Sequence, residues 1–394
     1  MTQPVVRLKA HEDRRLRAGH PWFYTNEVDT GRTPLRELAP GDVCRIEDSR
    51  GAVLGLATVN PHALLCGRML TGRSDATIDG AWLARRLRQA LAAREAVYDA
   101  PFYRLVYGEA DGLPGLVIDR YGEYLVVQMA TAGMDRLKAE LLAAIHEVVA
   151  PRGIWLGNDV PAREAEGLPA YTEAVGEVPA VVEVLEGGVR FGVSLQHGQK
   201  TGWFYDQRDN RDRLARYARG GKVLDVCCYV GAWSLRAMHF GAASATGVDT
   251  SATVLDAAQA NATANGYAFE ALQGRALDVL QKLHDDGRRF ELVVVDPPAL
   301  VKRKKDHAAG LAHYQRLNRA ALDLVTPGGV LVSCSCSFHV TADELQRVLL
   351  RASRASGRHL AILEQGGQGP DHPVQPAIPE TRYLKAFYCR VGVD

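Results

Sequence analysis

Apolar and polar positions change period along this chain, and the changes divide it into three parts. Over the first 72 residues the apolar positions fall in short runs broken by turns. "DVCRIED" and "AVLGLATV" flank a turn at Ser49–Gly51, and "ALLCGRML" follows "NPH". Short strands at this spacing predict a small β-barrel-like module. The period then lengthens. "GAWLARRLRQALAAREAVYD" (80–99) places Trp82, Leu83, Leu87, Leu91 and Val97 near helical spacing and predicts a helix. Behind it "YRLVYGE", "GLVIDRYGEYLVVQM" and "GIWLGND" read as strands and 134–149 as a helix. "AVVEVLEGGVRFGVS" reads as a hairpin, because Glu-Gly-Gly is a good two-strand connector.

From about residue 195 the pattern alternates between buried strand and helix. Strands are expected at Val223–Val226, Ala245–Val248, Leu292–Val295 and Val330–Ser333, with helices at 205–219, 251–264, 276–284 and 312–324. Strands at 359–364 and 384–390 would close the sheet. Such alternation predicts a parallel sheet covered by helices on both faces. The expected architecture is multidomain: a β-barrel over 1–72, an α+β domain over 73–194, and a doubly wound, Rossmann-like α/β domain over 195–394.

Composition narrows the function. With 394 residues, 47% hydrophobic and 24% charged, the chain has the make-up of a globular protein of several domains. The N-terminal "MTQPVVRLKAHEDRRLRAGH" lacks the apolar run of a signal peptide, and no stretch approaches the roughly 20 apolar residues of a membrane helix. Seven scattered cysteines, with no C-x-x-C pair, argue against disulfides and zinc, so a reducing cytoplasm is the expected compartment. The net charge of +1 does not announce a nucleic-acid partner. Positive charge is local, in "RRLR" (Arg14, Arg15, Arg17) and "KRKK" (Lys302, Arg303, Lys304, Lys305). Those seven residues are the candidate phosphate contacts.

In open α/β sheets ligands sit beyond the carboxyl ends of the strands. Three such ends carry polar chemistry here. "VLDVCCYVGAWSL" runs from a strand through Asp225, Tyr229 and Gly231 into a helix, whose start offers N–H groups. "GVDTS" ends the next strand on Asp249, with Ser251 as a helix cap. Asp249 follows Gly231 by 18 residues, close to the roughly 20 expected of a carboxylate that grips ribose hydroxyls. A nicotinamide enzyme shares that logic, but the single glycine leaves little room for a pyrophosphate. S-adenosylmethionine, a nucleoside without phosphates, fits better, with Asp225 near its positively charged end. The third end is "LVVVDPPAL", where two prolines stiffen the loop after Asp296.

One strand further on stands "SCSCS", with Cys334 and Cys336. A buried cysteine is ordinarily packing. A thiolate beside a methyl donor and a pyrimidine has another use. Added to carbon 6 of cytosine, it makes carbon 5 nucleophilic enough to take a methyl group. Asp296 is placed to hold the pyrimidine N3 and stabilise the adduct's charge.

These motifs resemble the bacterial ribosomal RNA large-subunit methyltransferase I family. "RRLRAGHPWFYTNEV" and "GLATVNPHALLCGRML" are similar to that family's RNA-binding PUA domain, and "YGEADGLPGLVIDRYGEYLVVQ" to its central domain. "LQHGQKTGWFYDQRDNR", "VLDVCCYVGAWS", "VVDPPAL", "SCSCS" and "DHPVQPAIPETRYLKAFYCRV" follow its class I methyltransferase domain. The resemblance implies methylation of carbon 5 of a 23S rRNA cytosine, in free RNA or an assembly intermediate, with S-adenosylmethionine as donor. It places the nucleophile at Cys336 and leaves Cys334 to packing. Phe204 and Asp206 would line the donor's methionine end. A homodimer is consistent with the family, and the sequence itself is silent on it.

Three departures from the family stand out. "YVGAW" replaces Tyr-Thr-Gly-Gly, so Ala232 must keep a negative φ. The third strand's usual terminal acid is replaced by Gly274 and Arg275, with Asp278 three residues too late, which leaves adenine recognition to this Gly-Arg segment and its backbone. After Asp-Pro-Pro stand Ala299 and Leu300 in place of a lysine and an aromatic. Lacking an aromatic to stack on the target, this loop speaks against methylation of a base amino group. Methylation of another RNA base, or RNA binding by an inactive transferase domain, is the competing expectation.

Overall fold

The expected alternation of strands and helices is present in the computed structural model, which describes residues 3–196, 198 and 201–392. His197, Gln199 and Lys200 of "LQHGQKTGWFYDQRDNR" lie outside the described residues. The chain forms two compact units. The first takes Met1–Val182, Ser194–Trp203 and Pro370–Thr381; the second takes Glu183–Val193, Phe204–Gly369 and Arg382–Asp394.

In the first unit five strands pair in the order Val5–Arg7, Asp42–Glu47, Val53–Val59, Gly67–Thr71, Trp22–Phe23. Alternation buries Cys44 and Ile46 while Arg45 faces water, and Val6, Phe23, Ala57 and Val59 complete the core. The strand expected across "ALLCGRML" starts only at Gly67, and Leu64 before it is exposed. Glycine is required at 67, because a Cβ there would lie 1.9 Å from the Phe23 ring. A second sheet pairs Thr172–Gly176, Gly153–Gly157, Tyr124–Met129, Leu116–Tyr121 and Phe102–Tyr107 in that order. "GLVIDRYGEYLVVQM" is two strands, folded back at Gly122 with φ +66°.

The helices of this unit differ at their ends from expectation. The first runs Gly80–Glu95, capped by Asp79, whose carboxylate accepts the Trp82 N–H at 2.8 Å. It stops before Val97, which is 53% exposed and belongs to no apolar face. The helix expected over 134–149 is broken at Leu137 into Ala132–Arg136 and Lys138–Val149. Trp82, Leu83 and Leu87 pack with Leu141 and Ile145 against the second sheet.

In the second unit seven strands form one sheet: β1 (Lys222–Val226), β2 (Ser244–Asp249), β3 (Phe269–Gln273), β4 (Phe290–Val295), β5 (Val325–Ser335), β6 (Leu360–Gly366) and β7 (Lys385–Val391). Their order is 3-2-1-4-5-7-6, and β7 alone runs opposite to the other six strands. Helices α1 (Ala232–His239), α2 (Ala252–Ala264), α3 (Ala276–Asp285), α4 (His307–Leu322) and α5 (Ala342–Ala355) connect and cover it. β1 and β4 are apolar and buried apart from Lys222, Glu291 and the buried but polar Asp225, as a sheet covered on both faces demands. β3 was invisible to the hydrophobic pattern, because it is an edge strand with only Phe269 buried. β5 is longer than expected, since an irregularity opposite Phe290–Leu292 lets it continue back to Val325.

The helix expected over 205–219 is instead a turn at Tyr205–Gln207, a short helix Arg208–Asp212 and a second turn Arg213–Arg216. Tertiary partners explain the break. Arg211 is buried and donates two bonds of 2.6 Å to Glu186, on the expected hairpin Val182–Glu186/Val189–Val193. Asn210 donates to the Gly367 carbonyl at 3.0 Å. Removing one partner of so buried a pair strands a charge. Glu186→Ala is therefore expected to cost about 3–5 kcal/mol, read as a lowered urea midpoint with an unchanged m-value.

Candidate active site

The sheet order reverses between β1 and β4, and the polar groups gather beyond that point. After β1 the backbone turns through two non-glycine residues at positive φ, Cys227 (+66°) and Tyr229 (+50°), and then Gly231 (+84°). Such strain persists only where the surroundings enforce it. Ala232, the first residue of α1, has negative φ, so its methyl is accommodated. A Cβ at Gly231 would stand 3.3 Å from Ala258 of α2, so the turn hugs that helix.

Three carboxylates define this edge. Asp225 is fully buried; its Oδ2 accepts the Ser234 N–H (3.1 Å) and hydroxyl (2.9 Å), and its Oδ1 has no hydrogen-bond partner among the described residues. An orphaned buried acceptor suits the cationic part of a ligand. Asp249 ends β2, half-buried, and accepts the Tyr229 N–H at 3.1 Å and the Ser251 N–H at 3.1 Å. Ser251 caps α2 through the Val254 N–H. Asp296 follows β4, and its own N–H continues the ladder to the Val226 carbonyl. Its Oδ2 accepts from Gln207 Nε2 (2.9 Å) and Trp233 Nε1 (3.0 Å). Sequence reasoning missed both donors, although Trp233 stood in "GAWS" and Gln207 in "WFYDQRDNR".

Phe204 is half-buried, its ring edge-on to Tyr229 at 5.4 Å. Asp206 is buried and accepts the Tyr383 hydroxyl at 2.6 Å. Trp203 and Tyr205 are buried. The side chain of Arg275 is 84% exposed beside Asp278; here the backbone makes the contact, the Gly274 N–H donating to the Asp249 carbonyl at 2.9 Å.

Cys334 lies within β5, fully buried, and burial pushes its thiol well above the ordinary value. Cys336 lies one residue past the strand, half-buried, with its thiol directed to the Pro297 carbonyl at 3.9 Å. The flanking serines hold this loop. Ser335 Oγ donates to the buried Tyr314 hydroxyl at 2.9 Å, which is 3.0 Å from Ser337 Oγ. Ser337 Oγ in turn accepts the Val301 N–H at 3.1 Å. The hydroxyls are the frame and the thiol between them is the presented group. Burial pushes Cys227 up to about 12.

Lys302, Arg303, Lys304 and Lys305 are exposed beyond β4, with Arg303 paired to Asp306. Arg14, Arg15 and Arg17 are also exposed, but Arg15 pairs with Glu27, and Arg17 with Asp13 and Asp48. Among the described residues no cluster of His, Cys, Asp and Glu could hold a metal, and no helix is long and apolar enough to cross a membrane.

A sheet ordered 3-2-1-4-5-7-6, with acids at the ends of β1, β2 and β4, defines a class I S-adenosylmethionine-dependent methyltransferase. The model of the S-adenosylmethionine-dependent methyltransferase family matches residues 169–388, and that of a PUA-like domain matches 6–72. "Ribosomal RNA large subunit methyltransferase I" of Yersinia pestis bv. Antiqua is 36% identical over 99% of this chain and 100% of its own length. That of Yersinia pseudotuberculosis serotype O:1b is 35% identical over the same shares. This chain belongs to the ribosomal RNA large subunit methyltransferase I family. A methyltransferase solved in complex with SAH shares the fold at TM-score 0.82 and 19% identity, over 98% of this chain and 100% of that one. A SAM-dependent methyltransferase from Streptococcus mutans does so at 0.81 and 18%, over the same shares.

Burial pushes Asp225 from 3.8 up to about 7; the Ser234 donors work against that shift, and the Asp296 and Asp249 charges add to it. Between those values the folded protein holds a proton that the unfolded chain has released, so stability falls as pH rises through that window. Asp225→Asn cannot ionise. Without methyl donor its thermal midpoint should exceed that of the wild type above pH 7, and the gap should close as the pH falls toward 4.

Proposed function

We propose that this protein methylates carbon 5 of a cytosine in large-subunit ribosomal RNA through a covalent adduct on Cys336. The observation that carries the reading is the placement of Cys336: a half-buried thiol on a braced loop beyond β5, beside the Asp-Pro-Pro segment that follows β4. The relatives' name supplies the RNA class, and the PUA-like domain is in keeping with it.

S-adenosylmethionine supplies an electrophilic methyl group when bound. Asp249, held by the Tyr229 and Ser251 amides, is the candidate for its ribose hydroxyls, and Asp225 for its cationic end. Phe204, Tyr229, Gly231 and the Gly274–Arg275 backbone would line the rest. The target cytosine must leave its stack to reach the loop. Cys336 as thiolate adds to carbon 6, and the displaced electron pair makes carbon 5 nucleophilic. Asp296, oriented by Gln207 and Trp233, holds N3 in its neutral carboxyl form and gives up its proton as negative charge develops there. Carbon 5 takes the methyl group and S-adenosylhomocysteine leaves. A base, with water the simplest acceptor, then takes the carbon-5 proton, N3 returns its proton to Asp296, and elimination of the thiolate restores the ring. Ala299 after Asp-Pro-Pro offers no ring to stack on a base, which disfavours amino-group methylation.

The test is methyl transfer to unmodified 23S rRNA with labelled donor, the product nucleoside being identified by mass spectrometry. Cys336→Ala should abolish 5-methylcytidine, while Cys334→Ala keeps activity within a few-fold. Transfer that survives Cys336→Ala would sink the covalent reading. RNA binding without transfer by the wild type would favour the inactive-transferase alternative. Independently, Asp249→Ala should weaken donor binding by at least tenfold in calorimetry, about 1.4 kcal/mol, with the fold intact by circular dichroism.

A further inference from the structure

Beneath the Cys336 loop lies a charge that the mechanism above does not use. Lys385 opens β7 directly opposite Ser335 of β5, and it is only 6% exposed. Its Nζ donates to the Ser337 carbonyl at 2.7 Å and the Tyr383 carbonyl at 2.8 Å. An ammonium has three donors, so the third is left without a partner among the described residues. Neither acceptor is a carboxylate. A buried cation held by carbonyls alone is costly to keep, and a nearby anion would repay it.

We propose that Lys385 is a positioning residue for Cys336: it ties down the loop that carries the sulfur and favours the thiolate over the thiol. The inference rests on the reading of Cys336 as the nucleophile. The groups around the ammonium are few. From the β5 loop a Cys336 thiolate would act on it as a negative charge; from α5, Glu344 does the same, itself 3.0 Å from His307 of α4. Tyr314 of α4 braces both serines and would also feel a Cys336 thiolate. Asp296, after β4, bears on Cys334 and opposes a thiolate at this edge. A positive charge is therefore needed where two negative groups converge, and Lys385 places one there.

Burial lowers the Lys385 ammonium to about 8, and the Cys336 and Glu344 charges oppose that shift. At neutral pH it is charged and can act; above about 8 it loses its proton and the assistance fades.

The experiment is the rate of iodoacetamide labelling at Cys336 in the full chain, without RNA or donor, from pH 6 to 10. Each peptide is quantified by mass spectrometry. Wild-type Cys336 should label with a midpoint below that of an ordinary thiol, about 8.5. Lys385→Met should raise that midpoint by about one unit and slow labelling at pH 7 about tenfold. Lys385→Gln, which keeps the carbonyl bonds without the charge, should behave like Lys385→Met, and Lys385→Arg should stay near wild type. A wild-type midpoint at or above 8.5 overturns the proposal without recourse to any variant. So does a Lys385→Met profile that coincides with wild type in protein that still binds the donor. Methyl transfer surviving in Cys336→Ala overturns this inference together with the reading on which it rests. If Cys336→Ala abolishes transfer while the Lys385→Met labelling profile is unchanged, this inference alone fails.

Discussion

Parallel pairing of β1 with β4 is the constraint on which the reactive edge depends. Val223–Val226 lie beside Leu292–Val295 in direct register, and the chain leaves both strands on the same side of the sheet. Neighbours on the outer sides, β2 and β5, deliver Asp249 and Cys336 to that side as well. Had either central strand slipped by one residue, every side chain on it would have changed faces. Asp225 would then leave Ser234, and the strained turn at Cys227–Gly231 would lose the ladder that enforces it. The edge is acidic, so its own repulsion is offset by donors drawn from outside the strands: the Ser234 hydroxyl, the Trp233 indole, the Gln207 amide and the Tyr229 N–H.

The "SCSCS" segment shows how one dipeptide repeat yields two different thiols. Two positions apart, both cysteines would share a face of a continued strand, but the strand ends between them at Ser335. Cys334 is still in the β5 ladder, opposite Ala386, and is sealed by the neighbours of that pairing. Cys336 is beyond it. What keeps Cys336 from wandering is polar: two serines bonded to one buried tyrosine, an amide from the Asp-Pro-Pro loop, and a lysine on a carbonyl. Burying this many polar groups is tolerable because they bond to one another, with one Lys385 donor left over among the described residues. The result is a rigid loop beside the turn that follows β4.

Most of the fold was legible, and the exceptions share a cause. Strands with apolar residues on both faces, such as "VLDV" and "LVVV", announce themselves. So does a helix with a cap, such as the one that Ser251 opens. β3 did not, because an edge strand buries little and its sequence carries little apolar signal. The segment 205–216 looked helical, yet its helix is interrupted where Gln207, Asn210 and Arg211 turn inward to partners over 20 residues away in sequence. Val97 fitted a helical spacing but fell after the helix had ended.

In the site, the residue types were readable and their partnerships were not. From the sequence alone came the acids at three strand ends, the single-glycine turn, the two thiols and the family to which they belong, because motifs are local and strand ends are where ligands sit. Only the tertiary structure decided that Gln207 and Trp233 aim Asp296, that Arg275 points to solvent, that Arg15 and Arg17 pair with acids, and that Lys385 lies under the Cys336 loop. Each of those facts is a meeting between distant segments or a matter of exposure. A pattern of neighbours along a chain records neither, since burial and charge pairing exist only once the strands have chosen their order.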